Sequence, residues 1–305
     1  MSRSRRSPDD PGQPDRAAAT TTRGAIAAFN VIQIEHAEAY AAAAAHTNLP
    51  VVMQISQNAV RYHGALAPIA AATLAVARAS EQPVVVHLDH AEDEDLVREA
   101  VELGLTSVMY DGSRLPDEQN REATARVVQR CHDAGVSVEA ELGEVGGKDG
   151  VHAPGVRTDP ADAAQFVADT GVDALAVAVG SSHAMTSRTA ELDVDLIARL
   201  REGVPVPLVL HGSSGVPDAG LVAAVRAGMR KVNIATHLNQ VSPRRCRRRC
   251  GSTGPSTPAA TSAPAATPSP PRPPASNSCS PWNPRPWWSR PADHGGRAAL
   301  LKLVE

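Results

Sequence analysis

A (β/α)8 barrel of the TIM type is the fold class that the sequence predicts, and three observations predict it. Between about Arg23 and Gln240, eight short apolar runs alternate with amphipathic helical stretches. The runs are β-branched and continuous rather than alternating, as in Val84-Val85-Val86. That pattern marks parallel strands covered on both faces. Polar residues able to do chemistry gather where the runs stop, and that is the end at which α/β barrels carry their sites.

Each element follows in order. Ala25 to Asn30 reads as the first strand and Glu35 to His46 as its helix. Val51 to Ser56 is the second strand, with the Ala-rich Leu66 to Ala79 as its helix. Val84 to Asp89 is the third, followed by a helix from Glu92 to Leu103. Ser107 to Tyr110 and Asp117 to Ala134 form the fourth pair. Ser137 to Leu142 is the fifth strand; a Gly-rich loop then precedes a helix over Pro160 to Thr170, where Pro suits the first turn. Ala174 to Val179 and Asp193 to Arg201 are the sixth pair, Pro207 to Leu210 and Pro217 to Ala227 the seventh. Lys231 to Ala235 is the eighth strand. Gly104, Gly135, Gly171 and Gly228 each stand just after a helix, where a left-handed residue is wanted.

The eighth helix should begin near Thr236, but composition changes there. From Val241 to Glu305 the chain holds 13 of the 25 prolines, all three tryptophans and three of the four cysteines. No helical or strand period survives that mixture. It predicts a disordered tail, 241–305, in place of a normal eighth helix and C-terminal arm, and the tail reads like the product of a shifted frame. Residues 1–22 are similarly irregular, so the expected division is 1–22, the barrel at 23–240, and the tail.

Bulk properties exclude several classes. A net charge of −3 over 305 residues argues against a general nucleic-acid binder. No apolar run approaches the ~18 residues of a membrane span. No apolar segment follows the N-terminal arginines, so no signal peptide is expected. Cys131 is the only cysteine of the body. A reducing, cytoplasmic setting fits that usage.

The strand ends carry the chemistry. Strand three ends in Asp89-His90, strand four runs into Asp111, and strand five carries Glu139 and Glu141. Strand six leads to Ser182-His183, and strand seven ends in His211-Gly212-Ser213-Ser214-Gly215. Three histidines converging on one mouth, with an open fourth position, make the ligand set of a catalytic zinc site. The plainer alternative is that Asp89 and His90 cap the following helix. The loop at Gly212–Ser214 and the strand end at Asn233-Ile234-Ala235-Thr236 can cradle a phosphate through backbone N–H groups and hydroxyls. Its alternative is an ordinary turn with Asp218 as the cap.

Together, His87-Leu88-Asp89-His90, Glu139-Ala140-Glu141-Leu142-Gly143, Leu210-His211-Gly212-Ser213-Ser214-Gly215 and Lys231-Val232-Asn233-Ile234-Ala235-Thr236 resemble the motifs of the class II, zinc-dependent ketose-bisphosphate aldolases. The resemblance covers about Ala25 to Gln240. It implies aldol cleavage and condensation of a ketose 1,6-bisphosphate, giving dihydroxyacetone phosphate and an aldehyde phosphate. It makes His90, His183 and His211 ligands of Zn2+, and Asp89 the proton donor to the aldehyde oxygen. It assigns Asp111 and Glu141 to an alternative metal position. Gly212, Ser213, Ser214, Asn233, Ile234, Ala235 and Thr236 become the phosphate contacts, with a monovalent cation as a further ligand. It also implies a phosphorylated sugar as the small-molecule partner and a homo-oligomer if the barrel is intact.

Two positions depart from the family pattern. Ala184 stands where Gly is common, and Lys148-Asp149 stands where an acidic pair supplies the base, leaving Asp149 as the candidate base. Two other classes of function stay open: another metal-assisted reaction on a phosphorylated sugar, such as hydrolysis, and an inactive aldolase remnant.

Overall fold

The computed structural model describes residues 24–142, 157–181, 187–235 and 238. His183, Ala184, Lys148, Asp149 and Thr236 lie outside them, as do the segments 1–22 and 241–305. The chain runs β1 (Ile26–Asn30), α1 (Ile34–Thr47), β2 (Val51–Ser56), α2 (Gln57–His63), α3 (Ala67–Ala79) and β3 (Val84–Ala91). It continues through α4 (Glu94–Glu102), β4 (Ser107–Tyr110), α5 (Asp117–Asp133), β5 (Ser137–Glu141) and α6 (Pro160–Thr170). Then come β6 (Ala174–Ala176), α7 (Val194–Gly203), β7 (Leu208–Leu210), a 3-10 turn (Ser213–Gly215), α8 (Asp218–Ala227) and β8 (Met229–Ile234).

All eight strands are parallel and pair in chain order. β8 closes on β1 through Ala28 opposite Asn233, so the sheet is a closed barrel and has no free edge. Local sequence sets the helix ends. Asp159 caps α6 by accepting from the N–H groups of Ala161 and Asp162, at 2.9 and 3.0 Å, with Pro160 in the first turn. Asp193 caps α7 through Leu196 N–H at 2.9 Å. Gly104, Gly135, Gly171 and Gly228 all have positive φ, as their places after helices predict.

The structure departs from the sequence reading in small ways. α2 is an added helix in the loop after β2, capped by Ser56, whose Oγ accepts from Ala59 N–H at 3.2 Å. Seven residues are too few to show a helical period, so only the cap announces it. β6 stops at Ala176 although the apolar run reaches Val179, and β8 starts two residues early, at Met229. The segment after β8, which decides whether an eighth helix is missing, lies outside the described residues except Leu238, which packs against the core.

The helices form the outer ring. Their inner faces and the outward strand residues make the main core, in which Phe166, Ile197, Leu200, Leu88 and Leu105 are fully buried. Inside the barrel the filling is different. Among the described residues, Ile26, Ala28, Val52 and Val85, near the strand starts, form a small apolar cluster there. Above them the buried interior holds His87, Ser107, Glu139 and Lys231, then Gln54, Asp89, Glu141, His211 and Asn233. A barrel interior is ordinarily a plug of branched apolar side chains. Here polar groups climb toward the C-terminal ends of the strands.

Candidate active site

β3 delivers two adjacent residues to one place, which a regular strand cannot do because neighbouring side chains point to opposite faces. The pairing of β3 with β4 breaks register between Leu88 and Ala91, and His90 takes φ 50. A left-handed backbone at a residue other than glycine is strained, and it persists where surrounding structure enforces it. The consequence is that Asp89 and His90 both reach the barrel mouth. Neither caps the next helix: that cap is Asp93, whose side chain accepts from Asp95 N–H at 2.8 Å.

Around them the neighbouring strand ends converge. The His90 and His211 rings meet edge to face at 4.7 Å between centroids. His90 Nδ1 lies 2.7 Å from Asp111 Oδ2, and Ser113 donates to the other oxygen of Asp111, Oδ1. Asp89 accepts from Gln54 Nε2 at 3.3 Å and from Asn233 Nδ2 at 3.4 Å, while Gln54 Nε2 also reaches Asn30 Oδ1 at 2.6 Å. Two overlapping triplets, Asp89–His90–His211 and His90–Asp111–Glu141, each place one nitrogen or oxygen per residue within 4.8 Å of the others.

Beneath the mouth a buried chain runs across the barrel. His211 Nε2 lies 2.9 Å from Glu139 Oε1, and Lys231 Nζ donates to Glu139 Oε2 at 2.6 Å. Lys231 Nζ also sits 3.3 Å from His87 Nε2, and His87 Nδ1 sits 2.7 Å from Ser107 Oγ.

Electrostatics follow from these contacts. Burial disfavours a charge on His90, but Asp89, Asp111 and Glu141 together push its pKa up to about 10. Burial likewise opposes ionisation of Asp111, yet His90 and Ser113 hold its carboxyl well below the usual range. Glu139 is fully enclosed, and Lys231 and His211 still keep it well below the ordinary carboxylate value. His87 is driven well below its usual value by burial and by Lys231, so it is neutral.

The turn after β7 is built on Gly212 in the left-handed region, φ 66. Ser213 spends its hydroxyl on the Asn233 carbonyl oxygen, and Ser181 Oγ donates to His211 O at 2.6 Å. Pro217, not Asp218, precedes α8, with no side-chain cap. The Asn233 side chain turns inward to Asp89 and His211, at 3.1 Å from His211 Nε2. Ile234 and Ala235 are half-buried at the end of β8.

Of the residues read from sequence, Asp89, His90, Asp111, Glu141, His211 and Asn233 are brought together, and the Gly212–Ser214 turn stands beside them. Gln54 is the partner that sequence reading passed over. Its signal was a polar residue in the middle of the apolar run Val51-Val52-Met53-Gln54-Ile55. A cavity of about 300 Å3 opens beside the mouth, lined by Ser113, Asn120, Leu142, Arg157 and Thr158. A larger one, about 450 Å3, opens at the strand starts, at the opposite end from the mouth, and is lined in part by Ser107, Glu139 and Lys231 of the buried chain.

Fold and mouth together make a closed (β/α)8 barrel with side chains able to hold a metal ion at the C-terminal ends of its strands. The sequence model of class-II fructose-bisphosphate aldolases matches residues 16–278. The fold is similar to the YdjI aldolase from Escherichia coli K12, with TM-score 0.71 and 32% identity over 80% of this chain and 87% of that one. It is similar to a Coccidioides immitis protein assigned as a fructose-1,6-biphosphate aldolase, with TM-score 0.70 and 30% identity over 82% of this chain and 88% of that one. A fructose-bisphosphate aldolase from Campylobacter jejuni shares the fold at TM-score 0.64 and 22% identity, covering 80% of this chain and 83% of that one. The chain belongs to the class-II fructose-bisphosphate aldolase family. Family and fold support a lyase of the aldolase type. Among the described residues, no helix is long and apolar enough to cross a membrane.

Proposed function

We propose that the protein makes and breaks the C3–C4 bond of a ketose 1,6-bisphosphate with the help of Zn2+, giving dihydroxyacetone phosphate and an aldehyde phosphate. The observation that carries this reading is the convergence of Asp89, His90 and His211 with Asp111 and Glu141 at the C-terminal mouth. The donor set fits a zinc ion in its chemistry: two imidazoles edge to face, with carboxylates around them. His90 and His211 would hold the ion with His183; Asp111 and Glu141 offer it a second position. The share of His183, and of Asp149 as the base, rests on the sequence motifs. When bound, the ion supplies Lewis-acid stabilisation of negative charge on the ketose oxygens.

The chain's own groups do the rest. In condensation, Asp89 gives its proton to the aldehyde oxygen as the C3–C4 bond forms. In cleavage, its carboxylate takes the C4 hydroxyl proton as that bond breaks. Gln54 and Asn233 hold Asp89 in place for both directions. The backbone at Gly212–Ser214 and at Asn233, Ile234, Ala235 and Thr236 receives the phosphate of the dihydroxyacetone half, where N–H groups suit an anion. A monovalent cation beside that phosphate, a homo-oligomer and a cytoplasmic setting belong to the same proposal.

The test is metal analysis of the purified protein followed by an assay for triose-phosphate release from fructose and tagatose bisphosphates. Stoichiometric zinc with cleavage of either sugar supports the reading. Zinc without cleavage of either would favour a different metal-assisted reaction, and a soluble protein without metal would favour the inactive remnant.

A further inference from the structure

The buried chain beneath His211 has a direction, and the direction follows from hydrogen-bond chemistry. An ammonium only donates. His87 Nε2, 3.3 Å from Lys231 Nζ, is therefore the acceptor, and its ring proton sits on Nδ1, donated to Ser107 Oγ at 2.7 Å. Glu139 Oε2 accepts from the same ammonium at 2.6 Å. A carboxylate tied to a buried ammonium stays ionised and accepts at its other oxygen as well. His211 Nε2, 2.9 Å from Glu139 Oε1, must then be the donor. Asn233 Nδ2, a donor with two hydrogens, also lies 3.1 Å from that nitrogen and gives one hydrogen to Asp89 Oδ1; against an ionised carboxylate oxygen at 2.9 Å it is the weaker partner for Nε2. The other ring nitrogen, Nδ1, lies 3.6 Å from Glu141 Oε2, a carboxylate of the second metal-competent triplet.

We propose that the Glu139–Lys231 pair is a positioning device that holds His211 in the tautomer protonated on Nε2, so that Nδ1 presents its lone pair to the divalent ion. This deepens the metal-centre reading above and rests on it. His90 has a comparable carboxylate partner in Asp111, but that one is near the surface of the mouth, whereas Glu139 is enclosed by the barrel. Partners of this kind fix ring orientation and raise ligand basicity, and their loss ordinarily costs about 10 to 100-fold in metal affinity. A buried ion pair kept only for stability would have no such effect on the metal and is replaceable by apolar residues.

Two variants and one measurement on the unaltered protein test this. In Glu139→Gln, the Lys231 ammonium draws the amide oxygen to itself and turns the NH2 group toward His211 Nε2. The tautomer reverses. Zinc affinity, read by competition with a chelator, should fall about 10 to 100-fold, and the visible spectrum of the Co2+-loaded protein should change. Adding Lys231→Met removes the ammonium, frees the amide to offer its oxygen to His211, and should restore much of the lost affinity. Melting temperatures of the metal-free variants report folding separately. If the variants do not fold, nitrogen NMR of the full chain with labelled histidine identifies the protonated nitrogen of His211 directly. The proposal expects a proton on Nε2 with and without zinc. A proton on Nδ1, or Glu139→Gln at wild-type affinity, overturns it. If the unaltered protein binds no zinc, the metal-centre reading falls, and the tautomer measured without metal still decides the positioning role of Glu139.

Discussion

His90 sits at φ 50 in a strand whose next pairing slips, and this local distortion lets β3 place both Asp89 and His90 at the mouth. Their proposed roles differ, so their substitutions should separate. His90→Ala and His211→Ala should each abolish stoichiometric zinc, as should His183→Ala; metal retained at one per chain in all three would remove the assignment. Asp89→Ala should keep the metal and lose about 10²–10⁴ in cleavage rate, the usual worth of a positioned acid, and near-normal turnover would show that the proton moves elsewhere. Cys131 offers a control on the body. It is 1% exposed, and burial pushes its thiol up to about 11. A thiol reagent at pH 8 should therefore leave Cys131 unmodified in peptide mass spectra until denaturant is added. At this scale the motifs were legible because the chemistry needs named residue types at strand ends. The orienting partners were less so: Gln54 and the Lys231–Glu139 contact join strands far apart in sequence, and no local pattern records which buried polar groups will meet.

Helices and strands were legible wherever burial imposes a period or a continuous apolar run. β2, β4 and α6 match their expected bounds because each has a long enough run and a Ser, Pro, Asp or Gly at its ends. α2 escaped because it is short, and β6 was overextended because Val177, Ala178 and Val179 are buried although the sheet contact fades there: Val177 N–H still reaches Val209 O at 3.3 Å, and Ala178 bonds to Thr158 instead. One contact between elements shows what holds the outer ring. Arg121 on α5 pairs with Asp117 at 2.9 Å, with Asp169 of α6 at 3.0 Å and with Asp162, and its guanidinium lies 5.3 Å from the centre of the Phe166 ring. Its carboxylate partners are partly exposed, so solvent screens them. Arg121→Met should cost roughly 1 kcal/mol of stability in urea unfolding. The loss should shrink at 1 M salt, and a salt-independent loss would assign it to packing against Phe166 instead.

For the whole molecule, the closed barrel was legible because alternating strands and helices with parallel-strand composition leave few other arrangements. The boundary at Gln240 is a reading of composition, and we propose limited proteolysis as its test. Cutting confined to Arg244–Arg249, with the body intact, agrees with it, while protection of those arginines contradicts it. The proposed chemistry depends on one mouth in which Asp89, His90 and His211 act together. The most direct test is to load the purified full chain with one equivalent of Zn2+ and measure triose-phosphate release from fructose and tagatose bisphosphates, side by side with Asp89→Ala. The unaltered protein should release triose phosphate from at least one sugar, and the variant should lose that release almost completely while still holding zinc. Equal release by both proteins, or none by a zinc-loaded unaltered chain, would contradict this chemistry.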